Sequence, residues 1–230
     1  MIKNMSINII PGILEKRWED IEDKIEIINT RYIYNKSITK VQIDICDGVY
    51  VKSHTWSPMT NSVENKKLIE SLIDKGMPNW EDFEYEADLM VSDLKSYIEK
   101  VSELGFASVV LHSESLEDLK SAVSHASDYM LIVGIASRDI EVILSYLDFI
   151  KEIDNVKSQN NNIDFIQIMG IKEIGKQGEP FDESVIDKIK SIRVLTDINI
   201  QIDGAMNDET IELCRVVGAN HFVEGSAYFT

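Results

Sequence analysis

Three apolar runs in the sequence each carry an aspartate near their end. Two positions before each aspartate stands a glutamine or a glutamate. The pairs are Gln42 and Asp44, Glu86 and Asp88, and Gln201 and Asp203. If the runs are strands, both members of a pair point to the same face, because strand side chains alternate. Carboxylates crowded together at low dielectric constant raise one another's pKa, which is typical of metal sites and of proton-transfer chemistry.

A glycine-bearing segment offers a second kind of chemistry. Residues 170–181 are basic at Lys172 and Lys176 and resemble a loop that cradles an anion with its backbone N–H groups. Many such loops are only turns, so this segment is weak support by itself.

The elements that position these residues follow from the hydrophobic pattern. Short β-rich runs alternate with longer stretches of helical spacing, which is typical of βα units on a parallel sheet. The predicted strands are 6–10, 40–45, 83–90, 107–112, 129–135, 163–169, 198–203 and 220–224. The predicted helices are 15–29, 61–75, 93–104, 115–126, 138–152, 182–195 and 206–217.

Local signals support several helix ends. Asp93, Asn207 and a capping box of Ser115 with Asp118 mark helix starts, and Gly76, Gly105 and Gly218 mark helix ends. The asparagine-rich segment 154–162 is expected to be a flexible loop.

Eight strands alternating with helices predict one (β/α)8 TIM barrel domain over residues 1–230. The sequence ends directly after the eighth strand, so we expect the final outer helix to be lacking. A partner subunit could cover that strand, the flank of the first strand could be shielded in another way, or the chain could be truncated.

Active sites of such barrels lie at the carboxyl ends of the strands. Asp44 and Asp203 end strands two and seven, so we predict that both are functional. For Glu86 and Glu114 a structural role is favoured. Gly204 and the Gly225-Ser226 pair strengthen the anion-loop interpretation, because barrel phosphate sites use the loops after strands seven and eight.

Composition limits the partners. Forty acidic residues against 23 Lys and Arg give a net charge of −17, which argues against nucleic acid and anionic membranes. Cys46 and Cys214 are far apart and are expected to be reduced thiols. With no signal-type segment or apolar run of membrane-spanning length, the expected location is the cytoplasm.

Seven segments, taken in order, resemble the ribulose-phosphate 3-epimerase family. They are Ile10–Leu14, Ile43–Val51, Asp88–Val91, Leu111–Glu114, Gly175–Phe181, Ile202–Gly204 and Gly225–Phe229. The resemblance implies a ribulose-phosphate-binding barrel that interconverts ribulose 5-phosphate and xylulose 5-phosphate. It also implies substrate and phosphate contacts at Gly12, Gly175, Lys176, Gln177, Gly178, Gly204, Gly225 and Ser226.

The family uses two aspartates on opposite faces of the substrate to remove and return the proton at C3. The resemblance assigns these roles to Asp44 and Asp203. It also implies a metal ion held by those aspartates and two histidines, whose positions here carry Gln42 and Asp88. A site of Gln42, Asp44, Asp88 and Asp203 offers only oxygen ligands, which suit Mg²⁺ or Mn²⁺ better than Zn²⁺.

Several alternatives stay open at this point. The metal could be absent, His54 could reach in as a replacement ligand, and the substrate could be another ketose phosphate. The chain could also be a non-catalytic phosphosugar-binding barrel. Related barrels that decarboxylate orotidine phosphate or condense formaldehyde have a lysine where this chain has Cys46, so those chemistries rank low. His112 is expected to support a neighbouring residue, and His125 and His221 to be structural.

Overall fold

Eight parallel strands close into a barrel in the computed structural model, which describes residues 6–35, 38–115, 119–154 and 163–230. Each strand pairs with the next in chain order, and β8 pairs with β1. The strands are β1 Asn8–Ile13, β2 Lys40–Cys46, β3 Glu84–Met90, β4 Ser108–His112, β5 Ile132–Ala136, β6 Phe165–Met169, β7 Asn199–Asp203 and β8 His221–Glu224.

Within the described ranges, seven α-helices alternate with these strands, which confirms the predicted TIM barrel. They are α1 Trp18–Asn35, α2 Val63–Lys75, α3 Leu94–Glu103, α4 Leu119–Asp128, α5 Ile140–Asp154, α6 Ser184–Leu195 and α7 Asp208–Arg215. Short 3-10 helices follow β4 at Ser113–Ser115 and β8 at Ser226–Phe229. No helix in the described part of the chain is long and apolar enough to cross a membrane.

Two strand boundaries differ from the prediction by three residues, and the others agree within two. The predicted first strand stopped before Pro11, but β1 continues to Ile13, and Pro11 lies in register with Glu224 of β8. The predicted fifth strand began too early: residues 129–131 form the turn before β5, in which Met130 has a φ of 59°. Tertiary pairing and turn geometry therefore set these ends.

The predicted helix signals have the expected geometry where they can be tested. Asp93 caps α3, and Asn207 forms a capping box with Thr210 at α7. Gly76, Gly105 and Gly218 all have positive φ, between 82° and 118°. The capping box of Ser115 with Asp118 and the loop 154–162 fall wholly or partly outside the described residues.

The apolar core lies between the strands and the surrounding helices. Val41, Ile43 and Ile45 of β2 point into it, so Gln42 and Asp44 face the barrel interior as alternation predicts. After β8 the chain forms the 3-10 helix, which packs on α1. There the Arg31 guanidinium donates to the Tyr228 carbonyl, and the Lys24 ammonium lies 4.6 Å from the Phe229 ring centre.

We predict that Gly170→Ala distorts the junction that brings the loops after β6 and β7 together. A Cβ atom at Gly170 would lie 2.2 Å from the carbonyl oxygen of Gly204, so the backbone has to move. A loss of about 1–3 kcal/mol in unfolding free energy is expected in urea titration. Gly225→Ala is the control, because its Cβ would have only an ordinary contact at 3.8 Å; equal stability of both variants would contradict the prediction.

Candidate active site

Strand register sets the predicted polar residues side by side inside the barrel. Asp44 of β2 lies opposite Asp88 of β3, and Gln42 lies opposite Glu86. Hydrogen bonds then connect β2 across the interior to β7. The Gln42 amide nitrogen donates to Asp44 at 2.9 Å and to Asp203 at 3.2 Å.

Three aspartates form a compact cluster at the carboxyl ends of the strands. Asp44, Asp88 and Asp203 each have one carboxylate oxygen within 4.8 Å of an oxygen of the other two. Asp88 is completely buried, whereas Asp44 and Asp203 are partly exposed. Gln42 presents its N–H groups to this cluster, so its predicted role as an oxygen ligand would require the amide to turn over.

Asp88 has two polar partners of its own. A ring nitrogen of His112 lies 2.6 Å from one carboxylate oxygen, and the Gln167 amide donates to the other at 2.9 Å. His112, of β4, and Gln167, of β6, are both buried. The supporting role expected of His112 therefore agrees with its position, whereas Gln167 was missed, although its central place in an alternating strand was a usable signal.

Beneath the aspartates lies a second polar layer, around Gln201 of β7. Its amide nitrogen lies 2.7 Å from Glu86, 2.8 Å from Gln167 and 3.2 Å from Gln42, in each case from a side-chain oxygen. Glu86 also accepts from the Lys40 ammonium at 2.8 Å. The barrel interior, which in this fold is usually filled by branched apolar side chains, is here a hydrogen-bonded network.

Burial and the charges of neighbouring carboxylates make Asp44 and Asp203 unusually hard to ionise. Burial, then the charges of Asp203 and Asp88, raises the pKa of Asp44 well above its usual range. Burial and the charge of Asp88 raise the pKa of Asp203 to about 7, against the opposing effect of the Gln42 donor. Burial opposes the charged form of His112, but the Asp88 carboxylate outweighs it, so the pKa of His112 is raised.

A cavity of about 320 Å³ opens above the aspartates. Asp44 and Asp203 line it, together with Met90 and Met169, which the sequence interpretation did not include. All of the residues predicted to contact substrate or phosphate line the same cavity: Gly12, Gly175, Lys176, Gln177, Gly178, Gly204, Gly225 and Ser226. Asp88 and Gln42 do not line it and lie below.

The loops after β6, β7 and β8 shape the far wall of the cavity. Gly175, Gly178 and Gly204 have φ between 77° and 105°, a region that favours glycine. Ser226 begins the terminal 3-10 helix, whose first N–H groups have no acceptor within the helix and suit an anion. Lys176 lines the cavity, and its ammonium forms an ion pair with the Glu173 carboxylate.

Other acidic and histidine side chains near the barrel mouth have structural roles. Asp47 accepts hydrogen bonds from Val49, Tyr50 and Ser92, and so joins the loops after β2 and β3. Glu114 accepts from the Arg138 backbone at 2.7 Å, as its expected structural role requires. His54 packs against Gly48 and is not among the described residues gathered in the aspartate cluster.

The remaining predictions about single residues are settled by contacts. Cys46 and Cys214 are both buried free thiols, as expected. His221 contacts the Asn8 amide at 2.8 Å on the strand-entry side of β8. His125 lies 3.3 Å from Glu99 of α3. Neither histidine lines the cavity above the aspartates.

The aspartate cluster could hold a divalent cation. Its three carboxylates offer hard oxygen ligands, and the raised pKa values of Asp44 and Asp203 show that the described side chains leave much of the cluster's charge uncompensated. A cation between them would supply that compensation.

The closed barrel is a TIM barrel, and its convergent carboxylates lie beside a cavity at the carboxyl ends of the strands, where active sites of this fold lie. The family model described as "Ribulose-phosphate 3 epimerase family" matches residues 8–229. The chain therefore belongs to the ribulose-phosphate 3-epimerase family and is an enzyme of the carbohydrate-epimerase kind.

Curated relatives agree with this assignment. The ribulose-phosphate 3-epimerase of Schizosaccharomyces pombe is 24% identical over 82% of this chain and 74% of its own. That of Mycobacterium bovis is 23% identical over 96% of this chain and 85% of its own. That of Bacillus subtilis is 25% identical over 82% of this chain and 79% of its own.

Solved structures support the fold. Phosphoribosyl anthranilate isomerase from Thermotoga maritima superposes with a TM-score of 0.58 at 15% identity, covering 96% of this chain and 88% of that one. The enzyme of the same name from Thermus thermophilus gives a TM-score of 0.59 at 11% identity, with the same coverage of both chains.

We predict that metal binding releases protons in a pH-dependent way. Because the pKa of Asp203 is about 7, most Asp203 carboxyls are protonated at about pH 6 and must lose that proton to bind a cation. Calorimetric titration with Mn²⁺ in buffers of different ionisation enthalpy should show greater proton release at about pH 6 than at about pH 8.5, and tighter binding at the higher pH. Asp203→Asn should show a smaller difference, because Asp44, whose pKa is also raised, still has a proton to release. Release independent of pH in the unaltered protein would contradict the prediction.

Proposed function

We propose that the protein interconverts ribulose 5-phosphate and xylulose 5-phosphate by moving a proton at C3 through an enediolate. The observation that carries this proposal is the shared cavity. Asp44 and Asp203 lie at its floor, and the glycine-bearing loops after β6, β7 and β8 form its far wall. A sugar phosphate held by those loops would extend its carbon chain toward the two aspartates.

Asp44 and Asp203 divide the acid and base roles. They come from β2 and β7, which are separated around the barrel by β1 and β8, so they can approach one carbon from two sides. Their raised pKa values favour a pair that holds a proton on one carboxyl while the other is ionised. One carboxylate removes the C3 proton and the other carboxylic acid returns a proton to the opposite face.

Gln42 holds the two carboxyl groups in a fixed relation. Its amide nitrogen contacts both Asp44 and Asp203, so neither side chain can rotate without losing a hydrogen bond. Asp88 is fixed in turn by His112 and Gln167. This fixed geometry favours transfer at a single carbon.

Asp44, Asp88 and Asp203 would hold the divalent cation, and their all-oxygen ligand set favours Mg²⁺ or Mn²⁺. When bound, such a cation neutralises the negative charge of an enediolate. The resemblance supports this assignment through the family's use of a metal, and the cluster supports it through its uncompensated charge.

An epimerase acting on another ketose phosphate is the second candidate. The cavity wall recognises the phosphate end, whereas sugars of five and six carbons differ at positions contacted by only a few loop residues. A non-catalytic sugar-phosphate binder is disfavoured, because a binder has no need of three buried carboxylates that repel one another.

We predict that Asp44→Asn and Asp203→Asn each suppress the conversion of ribulose 5-phosphate to xylulose 5-phosphate. Each substitution removes an acid or base, which should lower kcat by at least about 100-fold while the fold is retained. Proton NMR of ribulose 5-phosphate in D₂O follows both the loss of the C3 signal and the appearance of xylulose 5-phosphate. Asp187→Asn, an exposed change on α6, is the control. Wild-type-like formation of xylulose 5-phosphate in either site variant would refute the role assigned to that residue, whereas exchange at C3 through the remaining carboxylate would not.

We also predict that Glu173→Gln tightens substrate binding. Removing the partner of Lys176 frees its ammonium for the phosphate, and KM should fall about two- to fivefold with little change in kcat. The gain should shrink as ionic strength rises. Glu103→Gln frees Lys100 on α3 in the same way and serves as control. An unchanged KM for Glu173→Gln would contradict a phosphate role for Lys176.

A further inference from the structure

The polar layer inside the barrel has a defined direction. Each glutamine amide has a donor end and an acceptor end, so a chain of amides can in principle run either way. In this network Gln42 and Gln167 both turn their nitrogens up, toward the aspartates, and their oxygens down, toward Gln201. A group on the other side of Gln201 must therefore fix the orientation of these two amides.

Glu86 is the group that can select it. An ionised carboxylate only accepts hydrogen bonds, and Glu86 accepts from the Lys40 ammonium at 2.8 Å and the Ser108 hydroxyl at 2.9 Å. Its other oxygen accepts from Gln201 at 2.7 Å. Glu86 is completely buried, and the exposed fraction of the Lys40 side chain is 16%, so this ion pair is shielded from most of the solvent.

Gln201 transmits the direction. Glu86 accepts a hydrogen bond from the Gln201 amide nitrogen. The same nitrogen therefore faces the side-chain oxygens of Gln42 and Gln167. The opposite orientation would point the Gln201 oxygen at three other oxygens. The Gln201 oxygen is buried with no hydrogen-bond partner among the described residues, which is the cost of keeping the nitrogen at the centre.

We infer that Glu86, held by Lys40 and acting through Gln201, is a positioning residue for the active site. It forces Gln42 to act as a hydrogen-bond donor to Asp44 and Asp203 rather than as an oxygen ligand. Glu86 itself does not line the cavity and touches no substrate. The inference deepens the function proposed above and rests on it for the catalytic consequence, but the orientation of Gln42 can be measured without any activity.

The isosteric substitution Glu86→Gln should reverse the network. Lys40 can only donate, so the new amide must give its oxygen to Lys40 and its nitrogen to Gln201. Gln201 then turns its oxygen inward, and Gln42 must turn its own oxygen toward the aspartates. Gln201→Met is the second variant, because it removes the connection with a neutral side chain of similar size.

The test combines kinetics with NMR of the side-chain amides. In both variants kcat should fall about 10- to 100-fold, as for loss of a residue that orients a ligand or catalytic group, while KM stays within about twofold. In ¹⁵N-labelled protein the Gln42 amide signals, assigned by their loss in Gln42→Met, should shift and exchange faster with solvent. Glu84→Gln, which removes an exposed carboxylate from the same strand, should change neither readout.

The outcomes separate the two proposals. Unchanged kcat in folded Gln201→Met, or unchanged Gln42 signals in either folded variant, overturns the positioning role. If Glu86→Gln does not fold, Gln201→Met decides alone. An absence of epimerase activity in the unaltered protein refutes the proposed function, and the Gln42 signals still decide how the amide is held.

Discussion

Gathering three carboxylates, one buried and two partly exposed, at one end of a barrel is the constraint on which the rest of this structure depends. Each such group loses its hydration and repels its neighbours, so it needs donors close by. Here the donors come from the middle of the barrel: the Gln42 amide reaches Asp44 and Asp203, and the Gln167 amide reaches Asp88. The interior therefore contains a polar network where this fold is usually apolar, beside a small apolar cluster of Val110, Ala136 and Phe165, and most of the apolar core lies between the strands and the helices.

The same constraint explains the chemistry of the site. Two donated hydrogen bonds do not offset the burial and repulsion of Asp44 and Asp203, so their pKa values stay raised. Carboxyl groups with raised pKa values can exchange protons with a carbon acid, and a divalent cation can bind where charge is left uncompensated. The positions where the family resemblance implies histidines carry Gln42 and Asp88, and His112 contacts Asp88 directly. An imidazole therefore still contacts the cluster, but it comes from His112 of β4, the strand after the one that carries Asp88.

Much of this arrangement could be predicted from the sequence. Alternation in β2 and β7 put Gln42, Asp44, Gln201 and Asp203 on the inner face, because side-chain period is a local property of a strand. The orientation of a side-chain amide, in contrast, is not determined by local sequence. Gln42 contacts Gln201, which in turn contacts Glu86, and both are distant from it in sequence. The sequence could therefore place Gln42 at the cluster as a predicted ligand but could not show which end of its amide faces the aspartates. The end of β1 was missed for a similar reason, since pairing with β8 outweighs the local effect of Pro11.

The most direct test of the account is a ribulose 5-phosphate to xylulose 5-phosphate assay on metal-stripped protein, repeated after adding Mg²⁺, Mn²⁺, Fe²⁺ or Zn²⁺. The account predicts turnover, with Mg²⁺ or Mn²⁺ supporting more activity than Zn²⁺ because every ligand offered by the cluster is an oxygen. A correctly folded protein with no turnover under any of these conditions would contradict it.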